Sequence, residues 1–216
     1  MNLKHFAATA VLALGSLVSS STFAAPITGL FNTGSGFTAG QQDTHYQLSK
    51  SGGDGPAIGS FGYESSGSGF PFGPWLANTS TSQWLTPLAN AGQTFDAGSA
   101  GIYTWHMSFD LTGFVASTAA FNGRWATDNS GQIFLNGTQL ADPSTGFTSW
   151  ANFSSAGGIF NAGMNSLDFV VINTQQNGGN PTGLRVEFEN TSVPEPGTLA
   201  LLALGLAGLG MARRRT

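Results

Sequence analysis

Two histidines, His45 and His106, are the imidazoles that a folded domain could use, because His5 belongs to an apolar N-terminal segment. A Ser-His-Asp arrangement needs one of them beside an activated serine. The sequence has no Gly-x-Ser-x-Gly elbow followed in chain order by Asp and His. His106 falls on the polar side of an alternating run, where a solvated imidazole is the ordinary outcome. Glu187 and Glu189 share one face of a strand pattern, about 7 Å apart from a rise of about 3.3 Å per residue. That spacing is within reach of glycoside hydrolysis, yet any strand carrying two exposed acids provides it. The expectation is therefore a non-enzymatic chain, with an exported hydrolase as the remaining enzymatic alternative.

Binding chemistry is better represented than catalysis. Calcium takes carboxylate, amide and backbone oxygens on loops, and Asp128 and Asn129 are the candidate ligands. The run Asp128-Asn129-Ser130-Gly131 also reads as a turn in which the Asp and Asn side chains bond their own backbone, and that reading is preferred. No other cofactor is implied. Sugar rings stack on aromatic faces, and three of the five tryptophans, Trp75, Trp84 and Trp150, lie in loop-like contexts as candidate platforms. Trp105 and Trp125 sit among large apolar neighbours and belong to the core.

Composition narrows the class. The chain has 31 glycines, 12% aromatic residues and only 8% charged residues. Turn formers interspersed with aromatic and β-branched residues imply many short strands in a sandwich or barrel. Between Pro26 and Ser192 stand three basic residues, Lys50, Arg124 and Arg185, against ten acidic ones. A field of that sign repels phosphate backbones, which argues against nucleic acid as a partner. The absence of cysteine excludes disulfides, thiolate catalysis and sulfur-ligated metals.

The elements that must position these side chains are clearest in the second half. Tyr103, Trp105, Met107, Phe109 and Leu111 alternate with polar residues, which predicts a half-buried strand over Ile102 to Leu111. Phe121 and Trp125 mark another strand. Gln132 to Leu135 runs into Asn136-Gly137, a hairpin turn signal. Leu167 to Ile172 reads as a buried strand. Leu184, Val186 and Phe188 alternate with Arg185, Glu187 and Glu189, predicting a last strand with a wet face, paired across a loop with 167–172.

Both ends read as processing segments. Residues 1–24 have Lys4 and His5, then an apolar run from Phe6 to Val18, then small residues, which is the layout of a signal peptide cut between Ala24 and Ala25. At the other end Val193-Pro194-Glu195-Pro196-Gly197 precedes the apolar stretch Leu199 to Ala212 and Arg213-Arg214-Arg215. Two prolines around a glutamate hold an extended, accessible peptide. Thr198 to Ala212 makes a helix of about 22 Å against a hydrocarbon core of about 30 Å, so the span is marginal, and the arginines keep the tail on the cytoplasmic side. This order resembles the PEP-CTERM sorting signal. The resemblance implies an exosortase as partner, transient membrane holding through the C-terminal helix, and export through the inner membrane of a Gram-negative bacterium to the surface or medium, in bacteria that make exopolysaccharide. The domains are then a signal peptide (1–24), a β-sandwich domain (25–192) and a sorting signal (193–216).

The strand order over Thr104 to Asn190, with Asn136-Gly137 in the middle, resembles galactose-binding-like domains. The resemblance implies an all-β, two-sheet jelly-roll sandwich, flanked here by a signal helix and one membrane helix. Many members bind carbohydrate and many are structural, so extracellular polysaccharide is the candidate partner, and a carbohydrate-binding module is the alternative to a surface or matrix protein.

Overall fold

In the computed structural model, residues 24–140, 146–194 and 205 are described. Apart from Ala24 and Gly205, the expected signal and membrane helices, together with Glu195, Pro196, Gly197 and Arg213 to Arg215, lie outside them. No described helix is long and apolar enough to cross a membrane.

The chain is built from β1 (Ala24–Ala25), β2 (Gln42–Gly52), β3 (Phe61–Glu64), β4 (Leu85–Thr86), β5 (Gly101–Asp110), β6 (Ala120–Asp128), β7 (Ser130–Leu135), β8 (Thr138–Gln139), β9 (Ala151–Ala156), β10 (Met164–Asn173) and β11 (Gly183–Pro194). One continuous sheet runs β8-β7-β10-β5-β2-β3-β4-β11-β6-β9, with β1 added to β11. Every strand pair in it is antiparallel. The short strands β3 and β4 form the fold line. The sheet curls there, so that β7-β10-β5-β2 faces β11-β6-β9 and the apolar sides meet as a sandwich.

The period-2 pattern dictates this. Tyr103, Trp105, Met107 and Phe109 of β5 are buried, as are Leu167, Phe169 and Val171 of β10 beside them. From the opposite layer come Trp125, Phe153, Leu184 and Val186. The Trp125 and Phe169 rings lie 5.9 Å apart across the interior, and Phe153 and Phe169 6.0 Å. Asn136 and Gly137 both have positive φ, 50° and 79°, and close the β7–β8 hairpin as a type I′ turn.

Two expectations are corrected. β10 pairs with β5 and β7, whereas β11 pairs with β4 and β6, so the loop between β10 and β11 crosses from one layer to the other rather than closing a hairpin. The expected wet face of β11 is also dry at its centre: Arg185 is 1% exposed and Glu187 3%, because residues 70–84 and Trp150 lie over it. Trp75, Trp84 and Ala126 form a second small core there, with Phe72, Leu76 and Phe147 packed on it. Gly183 permits the cover to approach, since a Cβ at that position would stand 2.9 Å from the Trp75 ring and 2.8 Å from the Leu85 carbonyl oxygen.

Candidate functional sites

The tryptophan platforms are placed differently from expectation. Trp84 is fully buried and Trp75 is 4% exposed; their rings lie 4.3 Å apart, and each indole N–H is spent inside the protein, Trp84 on the Leu76 carbonyl and Trp75 on Asp128. Neither offers a free face for a sugar. The half-buried Trp150 is occupied too, because the guanidiniums of Arg124 and Arg185 each sit 4.7 Å from its ring centroid.

Beneath Trp150 lies a charged network. Arg185 donates through Nε to Ser82 Oγ (2.7 Å) and through its other nitrogens to the carbonyls of Leu76 and Ala77, to Thr79 Oγ1 and to Glu187. Ser82 Oγ donates to Glu187 Oε1 at 2.7 Å, and Arg124 reaches Glu187 Oε2 at 2.6 Å. Every oxygen of Glu187 is thus engaged, so it is not available to act with Glu189, which bonds Asn122 at the surface. The expected carboxylate pair is a structural brace and a solvent group.

Three sequence candidates do meet. Trp75, Asp128 and Asn129 line a cleft of about 110 Å³ at one end of the sandwich, with Phe70, Pro71, Phe147, Gln176 and Asn180 among the other walls. The loop between β10 and β11 supplies the amides, and the 70–75 segment supplies the rings. Phe70 is 56% exposed and offers an open aromatic face. At the base, Asp128 is 3% exposed and accepts the Trp75 indole N–H at 2.8 Å. Burial pushes its carboxyl up to about 7, and the Trp75 hydrogen bond pulls it partly back.

Asn129 is committed, since its Oδ1 accepts from Thr174 N (2.8 Å) and Thr174 Oγ1 (2.7 Å). Asp128 and Asn129 therefore bond other segments rather than closing a turn on their own backbone, and β6 and β7 are joined through Asn129 alone. Among the described residues, no three His, Cys, Asp or Glu side chains are grouped to hold a metal ion. Phe70 was invisible as a site residue because nothing in Phe70-Pro71-Phe72-Gly73-Pro74 distinguishes an exposed ring from a packed one.

A second, wider surface lies on the open side of β2, β5 and β10. Gln47, Ser49, Ser60, Thr104, His106 and Asp168 line a shallow groove of about 520 Å³. His106 Nδ1 stands 2.6 Å from Asp168 Oδ1, a contact made possible by the pairing of these two residues across β5 and β10. Alternation along β5 puts His106 on a polar face, but its partner needs the strand register. His45 lies elsewhere, stacked on Phe31 at a centroid distance of 3.7 Å and 2.9 Å from buried Asp43.

The sorting segment begins inside the domain. β11 runs through the boundary drawn at residue 192, so that Val193 is fully buried in the core and Pro194 ends the strand. Ala24 and Ala25, on either side of the expected cleavage point, pair with Pro194 and Val193 respectively.

No characterised protein matches the chain in sequence. Solved structures similar to it include a PA14 sugar-binding domain from an RTX adhesin, 15% identical over 44% of this chain and 51% of that one, with a TM-score of 0.26; the match spans about half of its length. The CBM36-1 domain of a multidomain xylanase from the hindgut metagenome of Trinervitermes trinervoides is 13% identical, covering 73% of this chain and 99% of that one at a TM-score of 0.29. A family 35 carbohydrate-binding module from an environmental isolate is 11% identical, covering 72% and 95% at 0.29. Residues 192–215 match the PEP-CTERM protein-sorting motif, so the motif begins within the last three residues of β11.

Proposed function

We propose that this chain is an exported, exosortase-sorted surface or matrix protein of a Gram-negative bacterium, and that its sandwich does no covalent chemistry. The observation that carries the reading is the sorting motif over residues 192–215. An apolar stretch that would reach about 22 Å as a helix is short for a permanent span, which suits a tail that is held and then processed. Cells expressing the full chain and a chain ending at Pro194 should differ on fractionation: the full chain reaches the surface or medium, and the shortened chain stays in the periplasm. Equal distribution overturns the reading. Ending at Pro194 rather than at Ser192 keeps Val193 in the core, so a change in location is not a folding defect.

The cleft at Asp128 favours carbohydrate as the contact. An exposed ring, the exposed Gln176 amide and one carboxyl are the groups that stack a sugar and bond its hydroxyls, while buried Asn180 holds the wall through the Phe95 and Thr174 carbonyls. Glycoside hydrolysis needs two carboxyl groups, and the described lining supplies Asp128 alone, which suits holding a glycan rather than cutting it. In calorimetric titration against the host's own polysaccharide, Phe70→Ala should weaken binding roughly ten-fold, the loss of one stacked ring. Trp150→Ala should leave it unchanged. The reverse order, or no binding by the unaltered chain, removes the cleft from the account.

A further inference from the structure

The two processing sites meet in space, and that meeting has a chemical consequence. β1 and the end of β11 form an antiparallel pair, Ala24 opposite Pro194 and Ala25 opposite Val193. Pro194 has no N–H, so Ala25 and Val193 are the pair able to exchange both backbone bonds. Neighbouring contacts lock both strands to the domain. The Ile27 N–H donates to Thr191 Oγ1 at 3.2 Å, the Ile27 side chain is 4% exposed, and the Val115 N–H donates to the Pro194 carbonyl at 3.4 Å. Val193 contributes its side chain to the main core and is fully buried.

We propose that the pairing of Ala25 with Val193 is a folding-dependent clasp that withholds Val193 and Pro194, at the start of the sorting motif, from processing, so that the tail is cut only beyond Pro194. The inference rests on the sorting reading above and adds to it where the cut falls and when it is allowed. A processing enzyme must draw its peptide into an extended form in its own cleft. Val193 and Pro194 cannot enter one while the valine is in the core and both backbones are paired. The folded domain therefore withholds the bonds on either side of Val193, whereas an unfolded chain would expose them. Removal of the leader after Ala24 takes the strand partner of Pro194, which the Val115 N–H still holds, and keeps the Ala25–Val193 pair, because the new terminal ammonium of Ala25 still donates toward Val193. Removal one residue later takes the donor away.

Two measurements on the full chain, expressed in a host that has the sorting enzyme, decide this. Intact and peptide mass spectrometry of the mature, folded protein should find Ala25 first, with Val193 and Pro194 retained at the other end. A mature C-terminus at Ser192 or earlier overturns the clasp while leaving sorting intact; a tail that is never removed counts against the sorting reading, and the clasp is then judged by the second measurement alone. That measurement is hydrogen exchange of the Val193 amide in the detergent-solubilised full chain and in Ala25→Pro. The substitution removes one donor at an edge and no core atom, so it should leave the melting temperature nearly unchanged while speeding Val193 exchange on the order of ten-fold. Equal exchange in both chains overturns the clasp.

Discussion

The two outer faces of the sandwich are built from strands with the same alternation and meet opposite fates. On β5 and β10 the outward residues stay wet: His106 and Asp168 keep 38% and 28% of their side-chain surface. On β11 the outward Arg185 and Glu187 keep 1% and 4%. The difference comes from the chain that follows or precedes each layer. Residues 70–84 fold back over β11 and β6 and bring Ser82, Thr79 and the carbonyls of Leu76 and Ala77 to the guanidinium. A charge can be buried there because each of its hydrogen-bonding groups finds a partner. The open face has no such cover, and its His106–Asp168 contact is shared with water.

The largest effect that breaks this comparison is Arg185→Ala. It strips one hydrogen bond from each of the buried Ser82 hydroxyl, the Leu76 and Ala77 carbonyls and Glu187, and should cost about 3–5 kcal/mol in urea denaturation. A loss under about 1 kcal/mol, the ordinary size for a surface substitution, would show that the cover is not a built interior. The comparison sharpens with the double change Arg185→Leu and Glu187→Leu. If the cost lies in stranded charge rather than in the salt bridge itself, the double variant recovers most of what the single one loses.

How far the sequence carried follows from the same contrast. Alternation placed Tyr103, Trp105, Met107, Phe109, Leu184 and Val186 in the interior, because a pleated strand with one dry face must read that way. Asn136-Gly137 gave its hairpin, because few other dipeptides accept two positive φ angles. The dry outer side of β11 was not legible. Nothing within Arg185-Val186-Glu187 records that a loop a hundred residues earlier returns to cover it. Trp75 and Trp84 were misplaced for the same reason: in a Gly- and Pro-rich segment the local pattern says loop, and only the tertiary arrangement decides whether a loop's rings face water or a sheet. The cleft was half legible. Asp128 and Asn129 were singled out for their oxygens, but their partners Trp75 and Thr174 come from other segments.

Asp128 stands at the edge of the covered region, and its titration tests how dry that region is. Its folded pKa is raised, to about 7 against an ordinary 3.8, because burial disfavours the carboxylate. Between those values the folded chain holds a proton that the unfolded chain has released, so stability falls as pH rises and levels off above pH 7. The slope is at most about 1.4 kcal/mol per pH unit for one such group. Asp128→Asn keeps an acceptor for the Trp75 indole and removes the titration, so urea midpoints from pH 4 to pH 8 should flatten. Asp43 and Glu64, whose carboxyls burial also raises, leave a residual slope of the same sign. An unchanged slope would place the carboxylate in contact with water.

The smallest effect belongs to the open face. Asp168→Asn keeps the size of the side chain and an oxygen for His106 while removing the charge of the pair. Partly exposed pairs typically contribute about 0–1 kcal/mol, because water competes for both partners and salt screens them. The loss should therefore stay under about 1 kcal/mol in low salt and shrink further in molar salt. Arg185→Ala should keep its full cost under both conditions, because ions do not reach a guanidinium that is 1% exposed. Salt dependence thus separates the two faces more cleanly than magnitude does. A salt-insensitive loss above about 2 kcal/mol at Asp168 would mean that the groove over β5 and β10 is covered in solution, and that the two faces differ less than their burial indicates.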